Sequence, residues 1–548
     1  GVVVMFYCVW TLDRGFEITD EAYYLLLAIH AGTQKLYVSA QHWITGWLWQ
    51  ITGSLATFRA AGMFLLVGTS TLLALGAFSV CRRFGVVEDG FQAKEVVVAG
   101  TVVSAMLYAS TINFSPSYNL LASAGAYAAA GLVLLGSQRL SVAQKHVLYL
   151  LAGCAVGAEA LSKASAGAST LVIMVFWLYV FERSYFHKIC GTVAIAAGVV
   201  AFAGIALLTN TTIGDATQAI EQGMQLFRIV QVEAIDARLI RYVTQFGQYI
   251  LATVVDFALP LIFFSIYVKT RRTIFAKLGL GILVIILSLG GHLLGGWKDG
   301  LSFPPPFAIA AMLIMMLVLS IPVWNNSRNL VALFGGLILL PYSVAMGTGN
   351  TLFTQAVVSL APWGTLIGVL VVARFPEELS KLPIFLVGFC FVATVSLQIV
   401  TSGFRPYQLA TPLLKQDSKI SIANLGVVQV DTETKDFVTD LELAVKTCDL
   451  NPRTPFLGLY NIPGVALVLR VTPLLSPWLN NVAQAEFVLE RIDSDLNQSF
   501  VVAINYRNSM DLPSLPFKLN GFPDNYIYCG AATYPVGSQR IEIWKTKI

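Results

Sequence analysis

The sequence predicts a mainly α-helical membrane protein with about thirteen transmembrane helices, followed by a smaller α/β domain. Hydrophobic residues make up 56% of the 548 positions and charged residues only 12%, about half the roughly 25% that is usual in globular proteins. The charges are unevenly placed, with 39 in the first 400 residues and 27 in the last 148. This composition excludes a disordered or coiled-coil protein, and a net charge of +4 does not indicate a nucleic-acid partner.

Apolar segments approaching the roughly 20 residues of a membrane crossing recur through residues 1–400. The predicted spans are 1–12, 61–80, 95–111, 119–136, 147–162, 165–182, 190–208, 246–268, 279–297, 305–323, 330–346, 356–373 and 383–400. The first is short for a crossing, so we expect further residues before Gly1. In residues 401–548, strand-like segments, among them residues 466–471, alternate with amphipathic helices, which predicts an accessory α/β domain.

The distribution of Lys and Arg predicts the orientation. One set of alternate loops holds fourteen of these residues and the opposite set holds eight. Because basic residues collect on the cytoplasmic side, we expect a cytoplasmic N-terminus, an extracytoplasmic C-terminal domain and a location in the cytoplasmic (inner) membrane. Two outer loops are long, 13–60 and 209–245, so the protein is expected to act at the outer face. Cys448 and Cys529 lie in the outer domain, where they either pair or remain free.

The first outer loop begins with four carboxylates within nine residues: Asp13, Glu17, Asp20 and Glu21. One interpretation is a helix start, capped by Thr19 or Asp20, with solvated acids near its positive end. The other is that a carboxylate among aromatic residues at the membrane surface is desolvated and acts as a general base.

Three segments resemble the GT-C glycosyltransferases, polytopic enzymes that use sugars linked to polyprenyl phosphate. Residues 20–24, Asp-Glu-Ala-Tyr-Tyr, resemble the signature that follows span one in this superfamily. Residues 158–167 are similar to its L-S-K-x-x-G turn, and residues 117–121 lie where its members begin their fourth span. The predicted topology resembles that of the aminoarabinose transferase that modifies lipid A, and protein O-mannosyltransferases belong to the same superfamily. The resemblance covers about residues 1–400.

The resemblance implies an inverting transfer of a sugar from a polyprenyl-phosphate donor to an extracytoplasmic lipid, polysaccharide or protein. It implies that Asp20 is the base and Glu21 its partner, with Asp13 as a reserve candidate because it lies nearest the span. The residues predicted to bind the donor phosphate are Lys163, Arg238, Arg241 and Lys298. Those predicted to contact the substrates are Tyr118, Asn119, His42, Tyr342 and Asn350.

Residues 112–118, in the next outer loop, contain no carboxylate, whereas metal-dependent oligosaccharyltransferases carry a second acidic motif there. We therefore expect neither a catalytic metal nor a cofactor besides the lipid-linked donor.

Simpler interpretations of the other predicted site segments remain open: an amphipathic surface helix within 215–245, a turn at 297–300 and a helix end at 342–351. An alternative function is a lipid or polysaccharide transporter, or flippase, with a regulatory outer domain, although the scarcity of charge within the spans argues against it. A non-catalytic scaffold is a third interpretation.

Overall fold

The computed structural model describes most of the chain. The described residues are 2–87, 91–230, 235–256, 258, 262, 305–319, 328–347, 349–373, 382–422, 424–452, 454–491, 500–505, 519 and 521–547. The predicted span 279–297 and most of the second half of 246–268 lie outside them, as does Lys298.

The first 402 residues are helical wherever the structure describes a regular element. The helices are α1 Val2–Trp10, α2 Asp20–Ile29, α3 Gln41–Thr52, α4 Leu55–Arg83, α5 Phe91–Met106, α6 Tyr118–Gly136, α7 Val142–Ser162, α8 Ala164–Phe181, α9 Tyr185–Asn210, α10 Ile213–Val230, α11 Ile235–Asp256, α12 Pro305–Leu319, α13 Arg328–Ala345, α14 Leu352–Ala356, α15 Ala361–Val372 and α16 Leu382–Ser402. Six of the described helical segments are long and apolar enough to cross a membrane: Leu55–Arg83, Gln92–Ser110, Tyr118–Gly136, Ala164–Phe181, Tyr185–Asn210 and Ile384–Ser402. The chain is thus a multi-pass membrane protein, while thirteen spans stay a prediction.

Glycines allow the helices of the membrane part to approach closely. A Cβ atom at Gly153 on α7 would collide with the carbonyl of Ile195, and one at Gly198 on α9 would collide with the carbonyl of Leu150. Small residues that let backbones touch are a usual basis of helix association in membranes. The hydrophobic effect does not drive helices together there, because the lipid tails are as apolar as the helices. These close contacts join the middle of α7 to the middle of α9.

The first outer loop and the C-terminal residues share one hydrophobic core. Phe16, Ile18 and Ala22 pack in the same buried cluster as Val465 and Val468. Backbone bonds join the same parts: Gly464 N–H donates to the Ile18 carbonyl at 2.9 Å, and Gly15 N–H to the Gln429 carbonyl at 2.8 Å. The C-terminal part is thereby held against the start of α2.

The described residues of the C-terminal part form a hairpin, a mixed sheet and three α-helices. Its elements are β1 Ser418–Ile422, β2 Gly426–Val430, α17 Thr432–Thr447, β3 Pro455–Leu459, α18 Pro463–Leu469, β4 Thr472–Pro473, α19 Val482–Leu489, β5 Val501–Asn505, β6 Tyr526–Tyr534 and β7 Gln539–Thr546. The sheet order is β4-β3-β5-β7-β6, with β3 parallel to β4 and β5 and with β7 antiparallel to both its neighbours. A disulfide joins Cys448, after α17, to Cys529 on β6.

One element was predicted wrongly in this part. The sequence indicates a strand over residues 466–471, but most of this segment belongs to helix α18, which begins at Pro463. All seven residues of α18 are buried, so the segment has no polar face whose period would distinguish a helix from a strand. The signal that indicated a helix was Pro463, because proline is favourable at the first helical position.

Candidate active site at the outer face

Glu17 caps the start of α2. Its carboxylate accepts hydrogen bonds from the backbone N–H groups of Thr19 and Glu21, each at 2.6 Å, and from the Thr19 hydroxyl. The Thr19 side chain itself makes no capping bond, so neither predicted cap performs this role. Burial and, next, the charge of Asp20 raise the pKa of Glu17. Because Glu17 satisfies the helix terminus, Asp20 is free to point elsewhere.

Glu21 is committed to a buried ion pair. Its side chain is fully buried and accepts bonds from Nε and Nη2 of Arg59, at 2.7 and 2.6 Å, and from the Ser115 hydroxyl at 2.5 Å. The guanidinium of Arg59 also donates to the backbone carbonyls of three residues that follow α1: Leu12, Arg14 and Gly15. Glu21 therefore holds the first loop against the start of α4, and its oxygens are already occupied.

Asp13 is bound to the C-terminal part. Its carboxylate accepts a hydrogen bond from the Gln429 side chain at 2.5 Å, and its carbonyl accepts one from the Gln429 N–H at 2.8 Å. These contacts join the end of α1 to strand β2. Asp13, the reserve candidate for the base, therefore has a structural role.

Of the four carboxylates in the first loop, Asp20 is the one that neither caps α2 nor binds Arg59 or Gln429 in the described contacts. It is the first residue of α2, and its carboxylate accepts a 2.7 Å hydrogen bond from the Tyr407 hydroxyl. Burial raises the pKa of Asp20 above its ordinary value, whereas the bond from Tyr407 lowers it. Such a carboxyl is more basic than one in water, as a general base requires.

Aromatic rings connect Asp20 to a lysine. The ring of Tyr24, on α2, lies 5.9 Å from that of Tyr118, at the start of α6. The Lys163 ammonium lies 5.9 Å from the centre of the same Tyr118 ring, and the charge of Asp20 acts on both tyrosines. Because Tyr24 lies one turn after Asp20 on α2, two aromatic rings separate the predicted base from the predicted lysine. Tyr24, Tyr118 and Lys163 are called the lysine group below.

Lys163 occupies the break between α7 and α8, where its ammonium donates to the Val344 carbonyl at 3.0 Å. Val344 lies at the end of α13, next to Tyr342 and Ser343. Arg241, on α11, donates to the carbonyl of Asn350 at 3.3 Å, shortly after the same helix end. Lys163 therefore contacts the end of α13, and Arg241 contacts the chain five residues beyond that end.

The remaining predicted residues are less closely connected. Asn119 is buried and interacts with the Tyr118 hydroxyl. Arg238 lies on α11, three residues before Arg241. His42 is buried against the Tyr37 and Trp43 rings, and burial lowers its pKa to about 4, so it is a neutral packing residue at neutral pH.

A cavity with both polar and apolar walls lies beside Tyr407, the hydrogen-bond partner of Asp20. It has an empty volume of about 670 Å³, part of it open to solvent, and its lining includes Arg14, Glu17, Thr111, Asn113 and Tyr407. The Nε atom of Arg14 is buried and lacks a hydrogen-bond partner among the described residues. Tyr118, Lys163 and the end of α13 are not among the lining residues, so this cavity is separate from the lysine group.

Two important residues were not predicted as parts of the site. Arg59 had a signal, because it stands alone between Phe58 and Ala60 at the beginning of an apolar span, where an unpaired charge is unfavourable. Tyr407 had none, since 387 residues separate it from Asp20.

Comparison with known proteins gives distant structural likenesses. No protein-family model matches the chain, and no curated protein is significantly similar to it. ArnT from Cupriavidus metallidurans, bound to undecaprenyl phosphate, matches 99% of this chain and 97% of its own at 13% identity and a TM-score of 0.41. The Archaeoglobus fulgidus oligosaccharyltransferase, with zinc and sulfate, matches 97% of this chain and 72% of its own at 12% identity and a TM-score of 0.46.

The same oligosaccharyltransferase, tethered to an acceptor peptide with the NVT sequon, matches 97% of this chain and 73% of its own at 13% identity and a TM-score of 0.46. At 12–13% identity these likenesses do not establish a family for the chain, so the resemblance to the GT-C glycosyltransferases stays a prediction. At TM-scores below 0.5 the likeness is too distant to indicate which reaction this chain catalyses.

Proposed function

We propose that the chain is an inverting glycosyltransferase that moves a sugar from a polyprenyl-phosphate donor to an acceptor outside the cytoplasmic membrane. The observation that carries this proposal is the run of contacts from Tyr24, one turn after Asp20 on α2, through the Tyr118 ring to the Lys163 ammonium. It relates a largely buried carboxylate at the start of α2 to a cation in the break between α7 and α8. Sugar transfer from a lipid phosphate needs both, because a proton must leave the acceptor and negative charge grows on the departing phosphate.

The proposed reaction assigns each group one task. Asp20 accepts the proton of an acceptor hydroxyl while that oxygen attacks the anomeric carbon. The bond between this carbon and the phosphate oxygen breaks on the opposite face, so the configuration inverts. The bonding electrons leave with the polyprenyl phosphate, whose added negative charge is stabilised by Lys163 and Arg241.

The acceptor is proposed to enter through the cavity beside Tyr407. Its wall contains Tyr407, which bonds directly to Asp20, and it is separate from the lysine group. A donor on one side and an acceptor on the other would meet at the carboxylate, the geometry that an in-line displacement needs.

The proposed orientation places the C-terminal part on the outer side of the inner membrane, with a cytoplasmic N-terminus. The Cys448–Cys529 disulfide supports this, because disulfides persist in oxidising compartments. The proposed mechanism uses no divalent metal, since residues 112–118 supply no second acid and Glu17 and Glu21 are already bonded to protein groups.

Replacement of Lys163 by Met tests the donor site. We expect the affinity for undecaprenyl phosphate to fall about tenfold or more, because one charge-assisted contact to the phosphate is lost. Binding is measured on the purified full chain in detergent. Lys145→Met is the matched control, since Lys145 lies at the other end of α7 and pairs with Glu182 at 2.7 Å. Equal affinity in the Lys163 variant and the wild type would remove Lys163 from the site.

Replacement of Tyr407 by Phe tests whether Asp20 titrates as the base. Tyr407 lowers the pKa of Asp20 through its hydrogen bond, so its loss should raise that pKa. A base must be deprotonated, and therefore the acid limb of the pH–rate profile should move to higher pH. Tyr528→Phe, at an exposed tyrosine on β6, should leave the profile unchanged. A shift of the acid limb to lower pH would contradict the assignment.

A further inference from the structure

A second carboxylate lies behind Lys163, in the interior of the helix bundle. Glu159 is on α7, one helical turn before Lys163, and its side chain is fully buried. Gly125 on α6 makes room for it, because a Cβ there would approach the Glu159 Cβ to 2.8 Å. A charged side chain at such a position is unfavourable in a membrane protein unless it has a partner or a function.

The hydrogen bonds of Glu159 satisfy only one of its two oxygens. Oε1 accepts from the Thr170 hydroxyl at 2.9 Å, whereas Oε2 is buried with no hydrogen-bond partner among the residues that the structure describes. Burial favours the neutral form of Glu159, whereas the charge of the nearby Lys163 favours the ionised form. In its ionised form, Glu159 would balance the charge of Lys163.

The contacts of Glu159 continue to the helix end that carries the proposed donor site. Thr170, on α8, also hydrogen-bonds to the Ser343 hydroxyl at 3.0 Å. Ser343 precedes Val344, whose carbonyl accepts the bond from Lys163. The carboxylate thus lies beneath the place where the donor phosphate is proposed to bind, and two anions would share one lysine when the lipid is present.

We infer that Glu159 is the resident counter-ion of Lys163 and that it weakens the binding of polyprenyl phosphate, so that the spent lipid leaves after transfer. The inference rests on the proposed donor site. In the empty site Glu159 compensates the buried ammonium. Once the phosphate arrives, the same carboxylate repels it, and this repulsion is strong because little water separates the charges. The repulsion from Glu159 offsets part of the attraction to Lys163, and this favours release of the polyprenyl phosphate after transfer.

Glu159→Gln tests this inference, because it removes the charge but keeps the shape and the acceptor for Thr170. We expect about tenfold tighter binding of undecaprenyl phosphate, unchanged binding of the uncharged lipid undecaprenol, and a lower turnover number because release becomes slow. Glu159→Met, which also lacks the charge, should behave alike. A merely structural role predicts weaker binding of both lipids, and equal or weaker binding of the phosphate by variants that remain folded would overturn the inference.

Two further variants separate the possible failures. Thr170→Val removes the hydroxyl bond without a change of charge and should not tighten binding. In a Lys163→Met background, Glu159→Gln should give no tightening, because a buried Glu159 without its cation is protonated and has no charge to remove. If Lys163→Met alone leaves affinity unchanged, the proposed donor site is wrong. If Lys163→Met weakens binding and Glu159→Gln does not tighten it, the counter-ion role alone is wrong.

Discussion

Asp20→Asn is expected to lower the rate of sugar transfer by about 10²–10⁴-fold, the usual contribution of a positioned general base. An amide cannot take the acceptor proton at any pH, although it still accepts the Tyr407 hydrogen bond. The substitution therefore removes the chemistry and keeps the contact. The rate of product formation and the affinity for undecaprenyl phosphate should both be measured, and the affinity should remain near that of the wild type because the phosphate contacts lie at Lys163 and Arg241.

The matched control is Asp440→Asn, the same change at an exposed position of α17, which should leave transfer unaffected. An Asp20→Asn protein that folds and transfers sugar at the wild-type rate would eliminate Asp20 as the base. Weakened donor binding with an unchanged chemical step would instead make it a binding residue.

Arg59→Met is expected to destabilise the protein by about 3–5 kcal/mol, the range for breaking a buried ion pair. The Glu21 carboxylate would remain fully buried without its cation, and three carbonyls that follow α1 would lose their donor. The thermal unfolding midpoint in detergent checks this expectation. Adding Glu21→Gln should restore part of the loss, because no uncompensated charge then remains.

Arg540→Met provides the comparison for this substitution. Arg540 pairs with Glu542 at 2.8 Å but is largely exposed, and exposed ion pairs contribute little to stability. Its unfolding midpoint should stay close to that of the wild type. If Arg59→Met were as stable as Arg540→Met, the ion pair with Glu21 would not hold the first loop in place.

The helical part of the fold was predictable from local composition. Apolar segments such as 119–136 and 190–208 coincide with α6 and α9, because the membrane requires long runs of apolar residues. The fully buried α18 was mistaken for a strand for the converse reason, since a segment with no polar face has no readable period. Disulfide pairing was also undecidable, because spacing alone does not tell which cysteines meet.

The site was predictable only where its chemistry is local in sequence. The acidic cluster indicated a base, and Lys163 stood out as a cation ending an apolar span. Distant residues decide which of these acids can act as a base. Arg59 pairs with Glu21, Gln429 binds Asp13 and Tyr407 contacts Asp20. These contacts arise from the packing of the C-terminal part on the first loop, which no pattern in the sequence encodes.

The most direct test of the central proposal follows a radiolabelled undecaprenyl-phosphate sugar in liposomes that contain the purified chain and an extracytoplasmic envelope fraction as acceptor source. We expect the label to move to an acceptor and an equal amount of undecaprenyl phosphate to be released, with both products lost in Asp20→Asn. Transfer of intact labelled lipid between the two leaflets, with no release of undecaprenyl phosphate across a panel of sugars, would contradict the proposal and identify a transporter.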